Sequence, residues 1–443
     1  MATLIINGKL ITRDAQRPFI EDGAVLISGE TIRAVGDSTS LRSEYPAADV
    51  IDAKGRLVMP GFINTHMHYY STFARGMSGG GRPATTFGEV LRGLWWRLDK
   101  ALTLEDVYYS AAVPMLDQLR MGVTSVIDHH ASPHAVRGSL VTIAEAAKMA
   151  GIRSNLCYEV SDRDGETIAQ EGIDENVDFL RYCKERDDDM IKGLFGMHAQ
   201  MTISAGTLLR AVEAAGAEDA GFHIHAAEGI EDVVDALAKH DLRVVERLFR
   251  YGVLNDKSIA VHCVHVTPEE IGMLAVSGVA VVHNPESNMT NAVGVSPVLT
   301  MMEKGVLVGL GTDGYTADMT ESLRAAHAIH KHAAGIPSAG WAEPHQMFFE
   351  NNRTIFNRYL DGKTGMLAEN YYADLIIVDY DPPTPLGAQN IDGHMLFGVT
   401  GRQVDWTIVN GKVRMKEREL VGIDEEKIRA ESRERARQLW SRL

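Results

Sequence analysis

The sequence predicts an α/β fold: a (β/α)8 TIM-like barrel beside a small discontinuous β-sandwich formed by both chain ends. Three observations predict it. Between about residues 58 and 340, eight short apolar runs alternate with longer segments of helical composition; the two ends carry β-rich runs instead; and the polar residues suited to chemistry sit where the central runs stop. Strands alternating with helices imply βαβ units and a parallel sheet, and eight units imply a closed barrel, with a doubly wound open sheet as the runner-up.

Taken in order, "TLIINGKLIT" and "AVLISGETIRAVG" are apolar runs broken at Asn7-Gly8 and Ser28-Gly29, the pattern of hairpins. The barrel runs are "LVMPGFINTH", "GVTSVIDHH", "IRSNLCYEV", "IKGLFGMHA", "GFHIHAAE", "SIAVHCVH", "GVAVVHNP" and "GVLVGLGTDG", most followed by a helical segment such as "AGTLLRAVEAAGA". "ADLIIVDYD" and "DWTIVNGKVRM", the latter turning at Asn410-Gly411, return to strand character, and "IDEEKIRAESRERARQLWSRL" reads as an exposed charged helix that caps or packs. The expected division is residues 1–57 and 366–423 for the two parts of the sandwich, 58–365 for the barrel and 424–443 for the helix.

Composition limits the partners. With 60 acidic against 44 basic side chains the formal charge is −16, which repels nucleic acid and anionic membranes and suits a small neutral or cationic molecule. No apolar stretch reaches membrane-spanning length, and "MATLIINGKL" lacks a basic segment followed by an apolar run, so a soluble, unprocessed protein is expected. The odd number of cysteines, Cys157, Cys183 and Cys263, argues against a disulfide framework and fits a cytoplasmic location.

Barrel enzymes place their sites at the C-terminal ends of the strands. Here those ends carry His66 and His68; Asp128, His129 and His130; His198; His223, His225 and Glu228; His262 and His265; His283 and Asn284; and Asp313. Residues i and i+2 of a strand point to one side, so His66 and His68 converge, and imidazoles with a carboxylate from another strand suit a first-row divalent ion. His225, nearer the strand end than His223, is favoured as a ligand and His223 as a structural residue. His262 is favoured over His265. Of His129 and His130 at most one faces the site, and the choice between His283 and Asn284 stays open. Lys192 begins its run and lies far from the C-terminal end, so a one-metal site is expected.

The ordered set "PGFINTHMH", "HIHAAE", "AVHCVH", "HNPESNM" and "GTDG", framed by "ADLIIVDYD" and "VNGKV", resembles the amidohydrolase superfamily over essentially the whole chain. It is similar to the branch of metal-dependent deaminases and chlorohydrolases related to cytosine, guanine and S-adenosylhomocysteine deaminases. "LWWRLDKAL", "SVIDHHASP" and "SNMTNAVG" look like the SsnA-type aminohydrolases. The resemblance implies one divalent metal ion, zinc or iron, and a homodimer or larger assembly. By position it implies His66, His68, His225 and Asp313 as metal ligands, Glu228 as proton shuttle, His262 as the group that orients water or polarises the reacting centre, and His198 as a substrate contact. The Ala-Pro usual after that histidine is Ala199-Gln200 here, which alters the pocket rather than the metal chemistry.

The expected activity is hydrolytic deamination of a purine-like or related N-heterocycle, with Asp313 accepting a proton, Glu228 delivering one and His262 stabilising a developing alkoxide. Cyclic-amide ring opening and chloride displacement are alternatives, since fold and metal do not fix the leaving group, and a non-catalytic assembly protein is a more remote one. The long strand-one loop, "YYSTFARGMSGGGRPATTFGEVLRGLWWRLD", offers Tyr69, Phe73, Trp95 and Trp96 as surfaces for a heterocycle, Arg75 as a reader of a carbonyl or carboxylate and glycines 79 to 81 as a mobile segment. Helix packing or a subunit contact is the alternative for the two tryptophans, and a surface ion pair for Arg75. Gln200 joins His198 among the expected substrate contacts.

Overall fold

The computed structural model describes residues 2–77, 82–186 and 188–443; the glycines read above as a mobile segment lie outside them. Parallel strands Phe62–Met67, Val123–His130, Arg153–Tyr158 and Ile191–Gly193 form one run, and Phe195–Ala199, Phe222–Ala226, Ile259–His262, Ala280–His283 and Leu307–Leu310 a second. The two pieces flanking Leu194 are one broken fourth strand: Leu194 N–H still donates to the carbonyl of Leu156 at 3.0 Å, while Phe195 pairs with Phe222 on the other side. Parallel bridges Val160–Met197 and Met67–Asp313 join the two runs at both seams. The result is the (β/α)8 barrel.

Its strands are buried on both faces, which is why they read as near-continuous apolar runs rather than alternating ones. Helices between them bury one face each: Leu104–Arg120, for example, begins at a capping box between Thr103 and Asp106 and places Val107, Leu116 and Leu119 against the barrel core.

The chain ends build one sheet in the order Glu419–Leu420, Lys412–Lys416, Val404–Val409, Leu375–Val378, Leu57–Pro60, Ala2–Ile11, Phe19–Ser28, Thr31–Asp37, with Asp49–Asp52 also paired to Ala2–Ile11. N- and C-terminal parts meet where Leu375–Val378 runs antiparallel to Leu57–Pro60. The run expected to open the barrel therefore divides. Residues 57 to 60 belong to the end sheet and the first barrel strand starts at Phe62, with Gly61 between them packed so tightly on Thr124 that a Cβ would lie 2.8 Å from the threonine Cβ.

Two of the three expected turns form. Asn410 and Gly411 both take left-handed backbone (φ 52° and 73°) between paired Val409 and Lys412, and Gly29 (φ 63°) turns between Ser28 and Thr31. Asn7-Gly8 does not turn. It lies inside a strand as a bulge, where the register to Phe19–Ser28 shifts between Ile5 and Gly8 and a Cβ on Gly8 would stand 2.6 Å from Val58. The C-terminal helix Glu425–Trp440 packs on Leu104–Arg120, with Arg429 paired to Asp117 at 2.6 Å and the Trp440 indole donating to the carbonyl of Phe73 at 2.8 Å. Among the described residues no helix is long and apolar enough to cross a membrane.

Candidate active site

The C-terminal ends of the first, fifth, sixth and eighth strands bring four imidazoles and two carboxylates together. His66 and His68 have ring centroids 4.8 Å apart, and both meet Asp313 Oδ1 through Nε2, at 3.9 and 3.4 Å. His68 Nε2 lies 3.2 Å from His225 Nε2. His262 Nε2 lies 3.4 Å from Glu228 Oε2 and 3.6 Å from Asp313 Oδ2. Three residues around this point, Ala227, His262 and Asp313, hold left-handed backbone (φ 50°, 71° and 54°), a strain of about 1–3 kcal/mol each that surrounding structure must impose.

The rings are fixed from behind. His68 Nδ1–H donates to the carbonyl of His129 at 2.5 Å and His225 Nδ1–H to that of His198 at 2.9 Å, so both Nε2 atoms present lone pairs. Two lone pairs facing each other at 3.2 Å repel unless a cation lies between them. His66 Nδ1 pairs with His223 Nε2 at 2.9 Å, and its buried Nε2 has no hydrogen-bond partner. His66, His68 and Asp313 each offer a ligand atom within 4.8 Å of the others, as do His66, His225 and His262. Buried nitrogen lone pairs with an adjacent carboxylate are a donor set that fits a divalent first-row ion.

Electrostatics agree with that arrangement. Burial first, then the neighbouring imidazoles, holds His66 and His225 well below the ordinary histidine range and therefore neutral, the ligating form. Burial alone would raise Asp313, but His68, His262 and the hydrogen bonds from Ser287 and Gly314, both 2.6 Å, keep it below its usual value. Glu228 behaves oppositely: burial, then the charge of Asp313, pushes it well above the carboxylate range. Burial also brings His262 down to about 4.

A cavity of about 310 Å³ opens onto this cluster. One wall comes from the strand-one loop, where the short helix Phe87–Val90, started by a Thr86–Glu89 capping box, continues as a π-helical segment Leu91–Trp95, a geometry frequent at functional sites. It presents Phe87, Leu91, Leu94, Trp95 and Trp96 to the cavity. Both tryptophans are thus cavity lining.

His198 lines the cavity, its Nδ1 bonded to Thr202 Oγ1 at 2.7 Å. The other three expected substrate contacts do not reach it. The chain leaves strand one directly into a 3-10 turn, Tyr69–Ala74, which ends the strand alternation: Tyr69 turns into the core and Tyr70 faces the cavity. Gln200 is held inside the wall, donating to the Asp232 carbonyl at 2.9 Å and accepting from Arg247 at 2.9 Å, while Ala199 and Met201 line. Arg75 is largely exposed and faces Asp117 at 3.7 Å.

Neither His129 nor His130 lines the cavity. The first turns into the barrel, bonding the carbonyls of Met197 and His223 at 3.1 Å, and the second turns to Ser132 at 2.9 Å. His283 pairs with His330 at 3.2 Å, and Asn284 is fully buried. Lys192 is engaged by Asp189 and Asp361 at 2.8 and 3.1 Å.

Several site residues were not singled out from the sequence, among them Tyr70, Glu231, Ser287 and, buried beside the histidines, Glu159. Glu159 lines the cavity, 3.3 Å from His129 Nδ1 and 3.8 Å from His198 Nε2, with Arg163 at 3.9 Å behind it. Burial would raise it, but His198, His129 and Arg163 hold it below the ordinary range. Its position, just after the third strand in "NLCYEV", is the same signal that identified the histidines.

The "Amidohydrolase family" model matches residues 57–414, and an "Imidazolonepropionase-like composite domain, bacteria" model matches 23–48. Over 100% of both chains the protein is 31% identical to a 5-methylthioadenosine/S-adenosylhomocysteine deaminase of Pelotomaculum thermopropionicum and 32% identical to a 5'-deoxyadenosine deaminase of Methanosarcina barkeri. Among solved structures, an adenosine deaminase from Xanthomonas campestris with bound zinc superposes with a TM-score of 0.88 at 24% identity, covering 99% of this chain and 98% of that one. Atrazine chlorohydrolase TrzN from Arthrobacter aurescens, complexed with zinc, superposes at 0.80 with 23% identity, covering 98% and 100%; at these identities both show the shared fold. With a family model spanning most of its length and relatives at about a third identity from end to end, this chain belongs to the amidohydrolase family.

Proposed function

We propose that the chain is a metal-dependent hydrolytic deaminase of a purine-like N-heterocycle, holding one divalent ion, zinc by preference over iron, through His66, His68, His225 and Asp313. The observation that carries this is the pairing of carboxyls of opposite character: Asp313, held below its ordinary range, and Glu228, pushed well above it, each with an oxygen within 3.6 Å of His262 Nε2. A divalent ion in such a site supplies the nucleophile by lowering the pKa of its water from about 15.7 to about 7.

The residues divide the remaining work. Asp313 Oδ2, already accepting from Ser287, takes the proton that the water gives up. Glu228, whose carboxyl burial pushes well above its ordinary range, delivers its proton to the ring nitrogen beside the reacting carbon; the proton held by Asp313 passes to the amine, which leaves as ammonia as the C–N bond breaks, and the hydroxyl proton left on the carbon returns to Glu228. Asn288 bonds His262 Nδ1 at 2.9 Å and fixes the ring so that Nε2 faces the oxygen on which charge develops. The aromatic wall of the strand-one loop covers the heterocycle and excludes water.

Zinc-loaded protein incubated with purines and their nucleosides should release ammonia with a product about 1 Da heavier, whereas ring opening would add about 18 Da and dechlorination would release chloride. Glu228→Gln should abolish release at unchanged zinc content. No ammonia from any member of the panel would sink the assignment.

A further inference from the structure

Five acidic side chains line the cavity, Glu159, Glu228, Glu231, Asp232 and Asp313, of which Glu228, the proton donor, adds no charge, and among the described residues no lysine or arginine lines it. Four of them are engaged within the wall. Glu159 faces His129, His198 and Arg163; Asp232 accepts from the backbone N–H groups of Met201 and Ala227 at 3.1 and 2.9 Å; Asp313 and Glu228 meet around His262. Glu231 differs. Its one hydrogen bond among the described residues comes from the backbone N–H of Gly88 at 3.2 Å, where the strand-one helix meets the loop after strand five.

Two of the nearby cations are spent elsewhere. Arg163 lies against Asp99, Asp164 and Glu159, and Arg247 donates to Gln200 and to the carbonyl of Ile203. Arg92 is exposed and outside the lining, but its guanidinium and Glu231 Oε1 lie 3.3 and 3.7 Å from one point, the Cβ position of Gly88, so it is the one cation near Glu231 that the test has to separate. A divalent ion on the histidines would be offset by Asp313 and Glu159, which leaves Asp232 and Glu231 as the excess negative charge of the wall. Like charges brought within a few ångströms at low dielectric repel strongly, and the net charge of −16 adds to that field at longer range.

We propose that this site accepts a flat heterocycle whose substituent is uncharged or cationic and turns away anionic ones, with Glu231 setting the preference at the mouth. This rests on the deaminase assignment for the reacting group, but the charge preference is a property of binding and is read separately.

The test is isothermal titration of zinc-loaded Glu228→Gln protein, in which turnover is blocked, with adenosine, 5'-amino-5'-deoxyadenosine and adenosine 5'-monophosphate at two salt concentrations. The monophosphate should bind at least about tenfold more weakly than adenosine and the amine at least as tightly, with the gap narrowing in high salt. Adding Glu231→Gln should narrow the gap, and Glu231→Lys should reverse it. Equal or tighter binding of the monophosphate overturns the proposal, as does tight monophosphate binding lost in Arg92→Ala, or no binding by any of the three. Ammonia release by the wild type is scored apart: its absence with the binding order intact removes the deaminase assignment and leaves the charge preference.

Discussion

His68 and His225, from barrel strands one and five, face each other Nε2 to Nε2 at 3.2 Å while each donates its Nδ1–H to a backbone carbonyl. Removing one imidazole leaves the other ring in place but takes away a donor. His225→Ala should reduce bound zinc to a small fraction of one per chain, measured by inductively coupled plasma mass spectrometry, and chelation of the wild type should lower Tm in a manner reversed by zinc. Occupancy at ~100-fold above Kd contributes about 2.7 kcal/mol to stability.

His223 touches no cavity, yet its Nε2 pairs with His66 Nδ1 at 2.9 Å and its Nδ1 lies 3.6 Å from Cys157 Sγ. His223→Phe keeps the shape and removes the partner that orients His66. Loss of such an outer partner typically costs ~10–100-fold in metal affinity or activity, and competition with a chromogenic chelator should show a weakening of that size. Unchanged affinity would mean that His66 is oriented by packing alone.

Glu159 bridges His129, whose carbonyl holds His68, and His198, whose carbonyl holds His225. Glu159→Gln keeps the size and removes the charge that sustains both contacts. The expectation is a fall in kcat/KM of about tenfold or more with zinc content unchanged. A matching loss of zinc would instead make Glu159 part of the metal's support.

The barrel and the histidines were legible because each signal was local: an apolar run fixes a strand, and its last polar residue fixes a position at the mouth. Glu159 carried the same signal but no imidazole to draw notice. Tyr69, Gln200 and Arg75 lie off the cavity for a different reason. Their orientation depends on a 3-10 turn, on Arg247, 47 residues later in sequence, and on Asp117 of a neighbouring helix, none of which spacing reveals. The Asn7-Gly8 bulge is similar: Asn7 does take left-handed backbone (φ 54°), but pairing to Phe19–Ser28 on one side, and to Asp49–Asp52 before and Leu57–Pro60 after it on the other, carries the strand on instead of reversing it.

Arg153 and Asp374 form a fully buried pair, 3.0 Å from Nε to Oδ2, that ties barrel strand three to the end sheet. Asn410, Thr364 and the carbonyl of Asp189 satisfy their remaining groups. Because Asp374→Ala leaves a buried guanidinium unpaired, it should destabilise by about 3–5 kcal/mol in urea denaturation, whereas a surface pair such as Arg33–Glu369 should cost under ~1 kcal/mol.

Asp189 makes the same junction sensitive to acid. Burial alone would raise its carboxyl, but hydrogen bonds from Gly362 N–H (2.8 Å), Lys192 (2.8 Å), the Tyr372 hydroxyl (2.6 Å) and Asp361 N–H (3.1 Å) hold it down to about 2 against an ordinary 3.8. Between those values the unfolded chain binds more protons than the folded one, so stability rises with pH. The contribution, about 2 kcal/mol from the shift, is complete above roughly pH 4 to 5 and disappears as pH falls towards 2. Asp189→Asn should therefore lower stability at pH 7 by about 2 kcal/mol and make the loss between pH 4 and 2 shallower, followed by urea midpoints across that range. A mutant that tracks the wild type with a constant offset down to pH 2 would show that Asp189 acts through packing and not through its charge.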